Sequence, residues 1–184
     1  ILTGAALIRE REQGTIEHLL VIPITVVEIM TAKVWANGLV IVIAATLSLL
    51  IVVEQLLNVP ITGSVPLFIL GTIIYLFSVT ALGILLATIA RSMPQFGLLA
   101  FPIFMIMNLL SGSSTPLESM PNWLQITMQI SPSTHFVNFA QAILYRGAGF
   151  EIIWKDFAMI ALIGIVYFLV ALFRFRKTIT TMQA

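Results

Sequence analysis

Between residues 34 and 53 the chain carries no charged side chain, a run of about 20 residues, the length that crosses a bilayer as an α-helix. In hydrocarbon every backbone N–H and C=O must be satisfied internally, so a run of this kind folds as a helix or not at all. Charge-free runs recur at 65–90 and 93–110, and 152–175 is apolar apart from Lys155, Asp156 and Arg174 near its ends. Hydrophobic residues make up 59% of the chain and charged ones 9%. Mean hydropathy is +1.07, outside the range of a soluble globule. The expected fold is therefore an all-α integral membrane protein, a polytopic helical bundle forming one transmembrane domain over 1–184. A net charge of +1 points to no nucleic-acid partner, and membrane lipid is the solvent. The absence of cysteine excludes a disulfide framework and a thiolate metal site.

Local signals divide the chain further. Residues 1–13 read as the end of a truncated span. Gly14 suits the left-handed position that closes a helix, and Thr15 can cap the next. Glu17 falls in that next helix's first turn, Ile16, Leu19 and Leu20 share a face, and Pro23 ends it. An amphipathic helix over 15–23 follows, roughly 10 Å long at 1.5 Å per residue. Thr25 and Glu28 then form a capping box for a span over 26–53. Glu54, Asn58, Pro60 and Gly63 mark an exposed loop. The span over 65–90 turns at Arg91-Ser92-Met93-Pro94 into that over 93–110, with Ser92 capping and Pro102 kinking it.

Residues 117–149 break the rhythm, because Pro116, Pro121 and Pro132 interrupt an apolar stretch. Two short helices fit, near 120–130 and 132–146, the second capped by Ser131 with Pro132 at N1 and closed by Gly147. Together they read as a re-entrant helical hairpin before the last span, with Trp123 and Tyr145 at the interface. Basic residues orient the bundle. Arg9, Arg11, Lys33, Arg91, Arg174, Arg176 and Lys177 fall on one side if 117–149 returns without crossing, and Arg146 and Lys155 on the other. This is the positive-inside pattern.

Two stretches carry a resemblance. Arg9-Glu10-Arg11-Glu12, then Gly14-Thr15-Ile16-Glu17, Leu19-Leu20-Val21 and Pro23, resemble the loop between the second and third membrane helices of ABC-2 type transporter permeases. Ser111-Gly112, Pro116-Leu117-Glu118, Met120-Pro121, Trp123-Leu124, Ser131-Pro132, Thr134-His135 and Arg146-Gly147 look like the segment before that family's last helix. The resemblance implies the carboxyl-terminal half of a permease subunit in a bacterial inner membrane, multi-pass. It implies a coupling helix whose Arg9, Glu10, Arg11, Glu12, Gly14, Thr15, Glu17, Leu19 and Leu20 meet an ATP-binding subunit. It implies an outer gate containing Pro116, Pro121, Trp123, Pro132 and His135. A second permease subunit would complete a homo- or heterodimer. No G-x-x-x-x-G-K-[ST] occurs, so ATP and Mg belong on the partner and this chain holds no cofactor.

Other readings use the same residues. A membrane scaffold or channel needs no ATPase. An intramembrane serine protease would use Ser111 and His135, but Leu109 stands where a Gly-x-Ser motif needs glycine, and Ser111 sits at a helix carboxyl end. His135 reads first as a packed, hydrogen-bonded residue. The small pairs Gly83/Ala87 and Ala44/Ser48 allow close helix approach. Asn37 and Asn108 read as polar groups at buried depth, and Met93, Met105 and Met107 as core filler. No acid at mid-span argues against a proton-coupled carrier. The sequence leaves the substrate open between lipid, glycan and amphiphilic drug.

Overall fold

The computed structural model describes residues 3–5, 8–9, 26–56 and 61–182, and among these there is no β-strand. Six α-helices follow the short helical pieces at 3–5 and 8–9: α1 (Val26–Leu47), α2 (Val65–Ile89), α3 (Met93–Leu109), α4 (Asn122–Met128), α5 (Pro132–Arg146) and α6 (Phe150–Met182). By length and apolar composition Val65–Ile89 and Phe150–Arg174 can each cross a membrane, and Gly38–Val53 and Met93–Leu109 are shorter apolar helices. Their outward faces are lipid-like: Leu98, Phe101, Leu162, Val166 and Phe173 are all exposed.

Two boundaries and one cap differ from expectation. Beyond α1 the backbone winds on as a π-helix, Ser48–Leu56, so Glu54 lies on a helical turn and not in a loop. The last helix continues past residue 175 to Met182. At ~1.5 Å per residue it is about 50 Å long, well beyond the ~30 Å of hydrocarbon. Ser92 occupies the N-cap of α3 but makes no side-chain cap; Gln95 Oε1 instead accepts from Arg91 N–H at 2.7 Å. Pro102 does lie inside α3. The capping box at Thr25 lies outside the described residues.

Helix α2 is the spine, and two cores are strung along it. At the end bearing Arg91, Leu82, Ile84, Leu86, Ala87 and Ala90 pack with Phe96, Ala100 and Met107 of α3, Ala171 of α6 and Ile8. Small residues bring backbones together here. A Cβ on Gly4 would strike the Gly83 carbonyl and stand 2.7 Å from the Phe96 ring. The Gly83/Ala87 pair thus serves packing within the chain, whereas Ala44 and Ser48 face away from this core. At the opposite end Phe68 of α2 packs with Phe139 and Ile143 of α5, Ile153, Phe157 and Ile160 of α6, and Leu49. Between the two layers α2 and α6 cross at Ser78 and Gly164, where a Cβ on Gly164 would lie 2.9 Å from Ser78 Cα.

Candidate functional site

The short helix α5 is built by punctuation. Ser131 stands at its N-cap in an extended conformation (φ −84°, ψ 125°) but, contrary to expectation, makes no side-chain cap; Pro132 follows in the first turn, and Gly147 closes the helix in the left-handed region at φ 63°. Gly147 N–H and Ala148 N–H donate back to Ile143 O and Ala142 O, at 3.1 and 2.9 Å. Glycine is required there, since other side chains rarely adopt that φ.

The α5 helix is fastened to its surroundings at three polar points. Tyr75 Oη of α2 and Ser133 Oγ share a hydrogen bond of 3.1 Å. Thr62 donates from its hydroxyl and its N–H to Leu144 O, at 3.0 and 3.3 Å. His135 Nδ1 lies 2.8 Å from Asp156 Oδ1 of α6, and its Nε2 lies 3.0 Å from Gln129 O. Aromatic rings fill the space between these points. Phe136 stacks on Tyr75 at 4.2 Å and meets Phe139 edge-on at 5.1 Å. Phe139 meets Phe157 edge-on at 5.0 Å, its ring occupying the notch left by Gly71.

The protonation of His135 follows from its partners. A backbone carbonyl only accepts, so Nε2 carries a proton; a protonated ring can donate from Nδ1 to Asp156 as well. The pKa of His135 is raised above 6.5, first by the hydrogen bond to Asp156, with further help from the Gln129 carbonyl and the Asp156 charge, and against the pull of burial. A cation in the first turn of a helix sits at the wrong end of the dipole, and Asp156 offsets this.

Residues expected at the outer gate differ in their burial. Pro132 and His135 are buried in α5, while Pro116, Pro121 and Trp123 are exposed on and before α4, Trp123 at 67%. Of the expected coupling residues, Arg9 is helical and exposed. Glu10, Arg11, Glu12, Gly14, Thr15, Glu17, Leu19 and Leu20 lie outside the described residues, as does the helix expected over 15–23. The protease pairing does not form: Ser111 Oγ donates to Asn108 O at 2.7 Å, and both His135 nitrogens are committed elsewhere. Asn108 itself is exposed, and of the three methionines Met107 is buried, Met93 partly so and Met105 exposed. No group of acidic or histidine side chains suited to a metal occurs among the described residues.

Sequence reasoning missed Asp156. Its signal is helical period: it lies at i+3 from Ile153 and i−4 from Ile160, on the face that α6 buries. The neighbouring Glu151 and Lys155 are exposed and disguise it as part of a wet first turn.

A second feature is an apolar cavity of about 380 Å³ between α1, α2 and α6, with Val42, Ile74, Phe77 and Ile165 in its wall and Thr31 and Trp35 at one end. Gly38 opens it, since a Cβ there would meet nothing within 4 Å.

Residues 1–145 match the ABC-2 type transporter family. The chain belongs to that family. It is 58% identical over 182 residues to the inner membrane transport permease YhhJ of Escherichia coli K12, covering 99% of this chain and 49% of that protein. It is 34% identical over 156 residues to the probable multidrug ABC transporter permease YbhR of the same organism, covering 85% of this chain and 42% of that one. ABC transporter G family member 20 of Dictyostelium discoideum is 25% identical over 161 residues, 86% of this chain and 22% of that protein. The chain spans about half the length of the bacterial relatives it matches. No solved structure matches.

Proposed function

We propose that this ABC-2 chain is part of the membrane-spanning subunit of an ATP-driven exporter in a bacterial inner membrane, moving a hydrophobic or amphiphilic substrate outward by alternating access. The observation that carries the reading is the family match over 1–145, which takes in both the charged opening stretch and the outer segment up to Tyr145. ATP and Mg bind a separate ATP-binding subunit, and a second permease subunit, identical or not, faces this one. The amphipathic helix over 15–23 transmits the closure of the ATPase to the spans. Residues 111–150 form a re-entrant roof on the outer side, in keeping with the basic residues concentrated opposite. The apolar cavity behind Gly38 is where an apolar part of the substrate meets α1, α2 and α6.

The test is the purified full-length complex with its ATPase, followed for partner retention, ATP turnover and export. Glu12→Lys and Glu17→Lys should leave expression and insertion normal, since exposed charges are worth ~0–1 kcal/mol to a fold. Both should nevertheless uncouple ATP turnover from export, because truncating a desolvated docking charge costs ~2–5 kcal/mol of binding. Leu19→Asp should damage assembly itself. If both Glu variants keep all three properties at parental level, the stretch is a solvated loop and the coupling role is wrong. Topology is checked separately. An impermeant thiol reagent applied to intact cells should label a cysteine at Gly149 and spare one at Thr178.

A further inference from the structure

The contact between His135 and Asp156 sets a titratable ring against a carboxylate of the last span. With both ring nitrogens protonated, the imidazolium satisfies the Gln129 carbonyl at 3.0 Å and the Asp156 carboxylate at 2.8 Å. A neutral imidazole has a single donor, so loss of one proton turns a lone pair toward one of these acceptors. Among the described residues no other charged group substitutes. On α6, Glu151 and Lys155 are exposed, on faces away from the buried stripe. On α2 the titratable side chain is Tyr75, bonded to Ser133. Helix α3, which also touches α5, carries no titratable side chain between Met93 and Leu109. Asp156 is therefore the charge that acts on His135.

The pair also bears on position. It ties the short α5 to the last span at the N-terminal end of α5, where Ser131 and Thr134 are buried with hydroxyls that have no hydrogen-bond partner among the described residues. An ionisable pair beside a membrane span is costly to keep unless it does something there. We propose that Asp156 is a positioning residue which, with His135, forms a proton-dependent latch holding α5 against α6 and releasing it when the imidazole becomes neutral. The latch takes from the proposed function only that 111–150 faces outward.

Thr134 offers a reporter, because it is fully buried and exchanging its hydroxyl for a thiol breaks no hydrogen bond to the described residues. Full-length permease carrying Thr134→Cys, and separately the exposed Gly149→Cys, is treated in intact cells with an impermeant maleimide across about pH 5.5 to 8.5. Dividing the Thr134 rate by the Gly149 rate removes the rise in thiolate common to both. The ratio should climb about tenfold or more with external pH, since a hydrogen bond to a charged group shifts an opening equilibrium by about ten- to a hundredfold. Asp156→Asn and His135→Gln should give a high ratio at every pH, and Asp156→Glu should restore the slope. A flat ratio in the parent overturns the latch, as does a slope that survives His135→Gln. If the Asp156 variants do not reach the membrane, the parent and His135→Gln profiles decide. Labelling of Gly149→Cys only in inside-out vesicles would sink the outward reading instead, a failure distinguishable from that of the latch.

Discussion

Around one half of α2 the packing is ring on ring and threaded with hydrogen bonds; around the other, small residues and larger aliphatic ones surround a buried Phe96. The aromatic half holds Phe68, Phe136, Phe139 and Phe157 with Tyr75, Ser133, Thr62, His135 and Asp156. The small-residue half holds Gly83, Ala87, Ala90, Ala100 and Ala171 around Ile84 and Phe96. Close backbone approach gives the small-residue half a single fit, because dispersion falls off steeply with any gap. Directional polar bonds give the aromatic half discrete alternatives, each with its own partner. Helix α5 is thus held by directional bonds as well as ring packing, and α3 packs through Phe96, Ala100 and Met107.

The largest effects should come from the centre of each core. Phe139→Ala empties a fully buried site and should destabilise by about 3–5 kcal/mol, and Ile84→Ala by about 2–5 kcal/mol. Thermal unfolding in detergent measures both. Hydrogen exchange should separate them, the first loosening α5 and the second α3. If Phe139→Ala loosens α3 as much, the two cores are one cooperative unit and the contrast fails.

Next comes the notch. A Cβ at position 71 would already lie 2.6 Å from the Phe139 ring, and Gly71→Val adds two methyl groups beyond it. Overpacking of this kind costs about 1–3 kcal/mol. Adding Phe139→Leu should recover part of the loss. Without recovery the two sites are not coupled.

The pH response is smaller and has a fixed sign. His135 holds its proton more tightly when folded, so its stabilisation is complete below about 6.5 and is lost as pH rises through the raised folded value. The melting temperature should fall over that window, and His135→Gln should remove the slope. Smallest of all, Trp123→Ala on the exposed face of α4 should change stability by about 0.5 kcal/mol or less in detergent.

Much of this architecture is legible in the chain. Charge-free length places the helices, Ser131-Pro132 and Gly147 bound α5, and Arg91 marks the turn between α2 and α3. The readings that fail share a cause. Glu54 reads as a loop residue because a charge after an apolar run looks like an exit, yet the helix continues as a π-helix past it. Ser92 reads as a capping side chain, but Gln95 reaches the same turn and local sequence cannot rank the two. Asp156 stays hidden because its meaning depends on His135, 21 positions away. Pairing across elements is a tertiary fact, and periodicity shows only that Asp156 faces inward.

The crossing of α2 and α6 at Ser78 and Gly164 has a mechanical consequence. Backbones this close, with a core on either side, cannot slide past each other easily. Replacing Gly164 with a larger residue would wedge the joint, since a Cβ there has 2.9 Å to the Ser78 backbone and nowhere to retreat.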